Sequence, residues 1–145
     1  MIDVETETRI IDKAEYIDEA VSVLARKQSL DRESYLDDRE QRAVVEREFQ
    51  TAIEACLDIA ELLLTATGSD VPATNAETFA RLGDCGMLST ETAETMQDAA
   101  GFRNVLAHQY GHDIDDEQVY WHLQNDLDWF AIFLREVRSE LDLGE

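Results

Sequence analysis

The sequence predicts an all-α helix bundle, and three observations predict it. Apolar residues recur at steps of three and four through most of the 145 residues. No stretch alternates apolar and polar residues as a half-buried strand does, and the Thr-rich run from Ser89 to Thr95 is broken by acidic residues. Helix start and stop signals bracket the periodic stretches. Together they give four long helices and one short one in an up-and-down arrangement, with residues 1–145 as a single domain.

Ile10, Ala14, Ile17, Val21 and Leu24 line one face of the first helix. Ser29 to Asp37 is a connector with room for a helical turn. The next stripe is Val45, Phe49, Ile53, Cys56, Ala60 and Leu63, widened by Leu57 and Leu64. It predicts a helix from about Asp38 to Ala66, with Gly68 suited to the C′ position and Pro72 preventing resumption. Thr74-Asn75-Ala76-Glu77 has capping-box spacing. It opens a short helix that holds Phe79 and Leu82 and stops near Gly83 or Gly86. A fourth helix runs from near Ser89 to Gln109 or Tyr110. Met96, Ala99, Ala100, Val105 and Leu106 are its apolar contacts, and Gly111 terminates it. Asp115 to Glu117 forms an acidic first turn, which the helix dipole favours. The last helix then carries Val119, Leu123, Leu127, Phe130, Leu134, Val137 and Leu141 without interruption.

Hydrophobic residues make up 44% of the chain, enough for one core and against wholesale disorder. No stretch approaches the roughly 18 apolar residues of a membrane span. Met1 is followed by Ile2-Asp3-Val4-Glu5, which is neither a basic nor an apolar leader, so the expected location is the cytoplasm. Cys56 and Cys85 fit no Cys-x-x-Cys pattern and are expected as free thiols, Cys56 in the core. The formal net charge is −21, from 33 acidic and 12 basic residues, and only Lys13 and Lys27 among the basic ones are lysines. This composition resembles that of proteins from salt-accumulating halophiles, haloarchaea above all. At molar salt the Debye length is about 3 Å, so repulsion between surface carboxylates is largely screened. The acidity then loses most of its force as an argument against nucleic-acid binding.

The three histidines are His108, His112 and His122. His108 and His112 are four apart but form no His-Glu-x-x-His pattern, and Gly111 between them ends the helix. Asp113, Asp115 and Asp116 could add oxygen ligands, but they read as an acidic helix N-terminus, so no metal site is expected. His122 reads as a surface or half-buried helix residue. A different arrangement is Arg103-x4-His108-x-Tyr110. Its imidazole suits general acid–base work near neutral pH, and its guanidinium is a forked, permanent cation suited to a phosphate. Five residues separate the two by about 7.5 Å along a helix, and a long Arg side chain can bridge much of that, so the two can flank one phosphate group. Asn104 lies one turn below His108 and can orient it or a substrate. Composition alone yields the Arg-x4-His pair about 0.2 times, so the pair is weak; adding the Tyr lowers this to about 0.006, which is informative. Spacing leaves open an Arg and a His that simply make surface hydrogen bonds at a helix end.

At these residues the chain resembles the HepT-like family of HEPN-domain ribonucleases, whose motif variant is R-x4-H-x-Y. Arg42-Ala43-Val44-Val45-Glu46-Arg47 and Gln50 to Ala60 are similar to the family's second helix. Ala99 to Asn104 resembles its lead-in to the motif, and Asp113-Ile114-Asp115 with Val119-Tyr120 resembles the start of its last helix. The likeness covers roughly Ile10 to Leu141. It implies a HEPN-like bundle and a metal-independent endoribonuclease with no cofactor, the toxin of a type VII toxin–antitoxin module. It implies Arg103 and His108 as catalytic residues, Asn104 as a supporting one, and a homodimer that brings two motifs into one cleft. The implied partners are an RNA substrate and an MNT-type nucleotidyltransferase antitoxin that silences the toxin by adenylylating Tyr110. The alternatives are a non-catalytic HEPN subunit that binds nucleotide or holds the nucleotidyltransferase in place, and a plain helical adaptor.

Overall fold

A computed structural model describes residues 2–109 and 113–143. Those residues form seven α-helices and no strand: α1 (Val4–Lys27), α2 (Arg32–Asp37), α3 (Arg39–Ala66), α4 (Asn75–Asp84), α5 (Thr90–His108), α6 (Asp116–Asn125) and α7 (Asp128–Leu143). The all-α bundle expected from periodicity is the fold. The expected four long helices and one short one become seven, because the connector holds a real helix and the last helix is two.

The bundle is built around α3. Its stripe from Val45 to Leu63 is buried, and so are Ala55, Leu57, Ile59 and Leu64 off that stripe. From Ala52 to Leu64 only a narrow edge with Glu54, Asp58 and Glu61 escapes burial, so this part of the helix sits in the interior. α1 packs along it through Ile10, Ala14, Ile17, Ala20 and Leu24, and α4, α5, α6 and α7 close the remaining sides. α2 supplies Tyr35, which is fully buried against the Tyr120 ring at 5.4 Å. That single aromatic gives a six-residue helix its reason to form between two long ones. Arg42 then ties the corner, donating to the Leu36 carbonyl and pairing with Asp116 at 3.4 Å.

Helix ends follow the local chemistry. Asp3, Asp31, Asp38, Thr74, Ser89 and Asp115 are N-caps whose side chains accept backbone N–H groups of the first turn. The backbone donors of Thr6 and Ser34 hold the Asp3 and Asp31 carboxyls below the usual range. Gly86 closes α4 at φ +79, with Met87 N–H donating to Leu82 O at 3.0 Å; Gly68 closes α3 in the same way. Gly86 is thus the terminator of the short helix, and Gly83 stays inside it.

The periodic pattern from Val119 to Leu141 is broken at Asp126. Its N–H donates to the His122 carbonyl at 2.8 Å, while its carboxylate lies 2.6 Å from His122 Nδ1. Its own carbonyl accepts from Trp129 N–H at 3.1 Å, so a turn replaces the next α-helical step. Neither Gly nor Pro marks the site, which is why periodicity passes through it. The bend brings Trp129 against Phe102 and puts Phe133 edge-on to Phe79 at 5.8 Å.

α5 is held at its start. Glu136 on α7 accepts from the Ser89 backbone N–H at 2.7 Å and from the Ser89 and Thr92 hydroxyls at the start of α5. Close to this end, a Cβ at Gly83 would stand only 2.7 Å from the Ala93 Cβ. Two effects oppose each other in Gly83→Ala. Helix propensity favours it by about 1 kcal/mol, while overpacking a close helix contact costs about 1–3 kcal/mol. The Ala93 Cβ is bonded directly to backbone and yields poorly, so the clash prevails. Urea unfolding in molar salt is expected to show Gly83→Ala less stable by about 1–2 kcal/mol. An unchanged or raised midpoint would mean that α4 shifts freely off α5.

Candidate active site

α5 presents two contrasting faces around Arg103. Phe102 and Leu106, four apart, are buried. The Phe102 ring stands edge-on to Phe49 at 5.2 Å, 4.3 Å from His122 and 6.1 Å from Trp129. Asn104, Val105 and His108 are exposed. Val105 was expected in the apolar interface; it sits instead on the open face beside Asn104. Arg103 lies between the two faces, half-buried, and turns toward α3.

There Arg103 Nη2 meets Glu54 Oε1 at 2.7 Å. The Arg103 Nε is buried and has no hydrogen-bond partner among the described residues. Gln50, one turn before Glu54, donates to the same Oε1 at 3.4 Å. Arg103 and Glu54 line an open groove of about 320 Å³ together with Leu57, Asp58, Glu61 and Asn75. Lys13 of α1 reaches Asp58 at 3.3 Å. One cation from α1 and one from α5 therefore face the same acidic edge of α3.

His108 is the last residue of α5 and is exposed, with Gln109 N–H closing the helix onto Val105 O at 3.0 Å. No hydrogen bond or ion pair joins His108 to Arg103 among the described residues. Five residues turn a helix by about 140°, so the two side chains leave α5 in different directions. Asn104 and His108, four apart, do share a face. Tyr110 and His112 lie outside the described residues. Of the aspartates weighed as metal ligands, Asp115 caps α6 and Asp116 pairs with Arg42, so both have structural work.

Two partnerships escape sequence reasoning. Glu54 belongs to a segment similar to the family's second helix, but the resemblance assigns it no role; its only signal is a carboxylate set among Ala52, Ile53, Ala55 and Cys56. His122 is half-buried, as its helical setting suggests. Its contacts with Asp126, Phe102, Trp129 at 5.2 Å and Trp121 at 5.4 Å depend on the bend that periodicity does not reveal. Cys56 is buried in the core, where burial pushes its thiol far above the usual range, and Cys85 is exposed and free.

A protein-family model described as Ribonuclease HepT-like matches residues 10–137. The chain belongs to this HepT-like ribonuclease family. A tRNA nuclease HepT from Aphanizomenon flos-aquae (strain 2012/KM1/D3) is 31% identical over 135 residues, covering 93% of this chain and 88% of the relative. The fold is that of two solved proteins. One, a crystal structure of a toxin–antitoxin pair with AMP-PNP, matches with a TM-score of 0.83 at 20% identity over 91% of this chain and 98% of its own. The other, a tri-AMPylated HEPN toxin from Shewanella oneidensis in complex with an MNT antitoxin, matches with a TM-score of 0.81 at 21% identity over 90% and 97%. The family match spans both Glu54 and Arg103. No described helix is long and apolar enough to cross a membrane.

The polar edge of α3 continues back through Gln50 to Glu46, at helical steps of four. Burial raises the Glu46 carboxyl above its ordinary range; Asp116 raises it further and Arg42 opposes both. A raised carboxyl binds its proton more tightly when folded, so its charge opposes folding at neutral pH. That opposition fades as pH falls through the folded value. Glu46→Gln is therefore expected to melt higher than the parent at pH 7, with the gap closing toward pH about 4. Thermal melts by circular dichroism at both pH values in molar salt check this, and a lower melting point for the variant at pH 7 would contradict it.

Proposed function

We propose that this chain is the ribonuclease toxin of a two-gene toxin–antitoxin module, with RNA of the tRNA class as its substrate. The observation that carries the reading is Arg103, held at the edge of an open groove within Arg103-x4-His108-x-Tyr110, in a chain of a ribonuclease family. The relative from Aphanizomenon flos-aquae, a tRNA nuclease, supports the substrate class. The Shewanella oneidensis toxin, AMPylated and bound to an MNT antitoxin, supports the partner. The site of action is the cytoplasm.

The chemistry proceeds by transesterification within the RNA. The 2′-oxygen attacks the adjacent phosphorus as its proton passes to an imidazole, and the P–O5′ bond breaks as the leaving oxygen takes a proton. Arg103 stabilises the extra negative charge on the pentacoordinate phosphorus. One His108 serves poorly as both base and acid in a single turnover. A homodimer places a second His108 in the same cleft and divides the roles between two chains. The divergence of Arg103 and His108 around α5 favours this arrangement, because a phosphate between two copies can meet the Arg of one and the His of the other. Asn104 shares the His108 face and orients the imidazole or the ribose.

Cleavage is expected to persist in EDTA and to leave 2′,3′-cyclic phosphate and 5′-hydroxyl ends. His108→Ala is expected to lower the rate at least about a hundredfold, the low end of general acid–base contributions, with little change in melting point. The test uses end-labelled tRNA in molar salt. Activity lost on chelation and restored by a divalent ion would overturn the mechanism and return attention to His112 with Asp113. A nucleotide-binding scaffold would instead keep its function in His108→Ala.

Control acts through Tyr110. Its hydroxyl attacks the α-phosphate of ATP in the antitoxin's site, an O–P bond forms and pyrophosphate leaves. The attached AMP sets negative charge two residues from His108 and obstructs the cleft. Co-expression with the cognate nucleotidyltransferase is expected to add one or more AMP groups at Tyr110 and abolish cleavage, while Tyr110→Phe resists modification. Intact-mass spectrometry reads the outcome. An inhibited chain without added mass, or with it elsewhere, would favour inhibition by steric binding alone.

A further inference from the structure

We infer that Glu54 is the positioning residue for Arg103: its carboxylate fixes the guanidinium in the orientation that receives the reacting phosphate. This inference rests on the ribonuclease reading above. A free arginine side chain samples many rotamers, and an anion that recruits it must order it first. Here two contacts of its own chain restrict it. The backbone of Arg103 is set by Phe102, which is buried between Phe49, His122 and Trp129. The side chain is half-buried, with Nε enclosed and Nη2 on Glu54 Oε1 at 2.7 Å. The carboxylate is steadied in turn by Gln50 Nε2 on the same oxygen at 3.4 Å. With Nη2 on the carboxylate and Nε enclosed, Nη1, for which no hydrogen bond is found among the described residues, is the part of the guanidinium fork proposed to meet a phosphate oxygen.

The arrangement carries a cost in affinity. Glu54, Asp58 and Glu61 line the groove, and a carboxylate on the guanidinium weakens its pull on any incoming anion. Ground-state binding of RNA is weakened by that charge, whereas the transition state, with more charge on the phosphoryl oxygens, benefits most from a fixed donor. Glu54 thus trades binding for turnover. That split in kinetic behaviour separates it from a merely structural residue.

The experiment measures kcat and KM for tRNA cleavage in molar salt with the full chain and with Glu54→Ala, Glu54→Gln, Arg103→Lys and the Glu54→Ala/Arg103→Lys pair. Circular dichroism melts identify the folded variants. Glu54→Ala is expected to lower kcat about tenfold or more while KM stays level or falls. Glu54→Gln keeps the shape and an acceptor oxygen, and is expected to recover most of the loss. In the Arg103→Lys background, removing Glu54 is expected to cost little further, because the two residues act as one unit. Should Glu54→Ala not fold, the isosteric Gln variant and its pair with Arg103→Lys decide the matter, a kcat above one-third of the parent being the expected result. Equal losses in Ala and Gln, additive losses with Arg103→Lys, or an unchanged kcat in Glu54→Ala would each overturn the assignment. A parent chain that leaves tRNA intact would overturn the ribonuclease reading itself, which is a distinguishable failure.

Discussion

The burial of Phe102 joins the four helices on which the candidate site depends. Its ring meets Phe49 of α3, His122 of α6 and Trp129 of α7, so one side chain of α5 registers that helix against three others. Aromatic pairs of this kind contribute about 0.5–1.5 kcal/mol each beyond their buried area. Their geometric effect matters more. With Phe102 fixed, the backbone of the next residue is set, and Arg103 starts out toward the polar edge of α3, where it meets Glu54. The bend at Asp126 belongs to the same constraint, since an unbroken helix through that point would carry Trp129 to a different position on the cylinder.

Charge shapes the molecule in two opposed ways. Close to the backbone, carboxylates are useful: they cap helices, and Asp116 and Glu136 fasten one helix to another. At longer range they repel, and a net charge of −21 opposes the compact state unless salt screens it. The candidate groove shows both effects. Glu54 pairs with the Arg103 guanidinium at 2.7 Å, while Glu54, Asp58 and Glu61 together make the groove acidic.

Much of this architecture was legible in the amino-acid order, because helix periodicity and capping are local. The stripe from Val45 to Leu63 gave the central helix, and Gly68 and Thr74 marked their ends correctly. Three features were not legible. α2 forms because Tyr35 finds Tyr120, a residue 85 positions away, so no local pattern announces it. The break after Asn125 is made by an aspartate that hydrogen-bonds its own turn, without the Gly or Pro that usually marks such a point. Val105 continued the apolar pattern but lies on the open face. For the site, spacing brought Arg103 and His108 to notice, while the partner of Arg103 sits 49 positions earlier. Two residues on different helices meet only once the bundle has closed, and Glu54 has no sequence mark beyond its apolar neighbours.

The aspartates at helix starts have a bearing on how the chain can be adapted to ordinary buffers. Reducing net charge by exchanging surface acids for lysine or neutral residues is a natural route to a form whose stability depends less on salt. The acids are not equivalent for that purpose. Asp3, Asp31, Asp38 and Asp115 each receive backbone N–H groups that a lysine cannot accept. Exchanging them would remove charge and unravel a helix start together. The exposed glutamates in mid-helix, such as Glu15 and Glu19 of α1, carry no such duty in the helix ends and are the ones open to replacement.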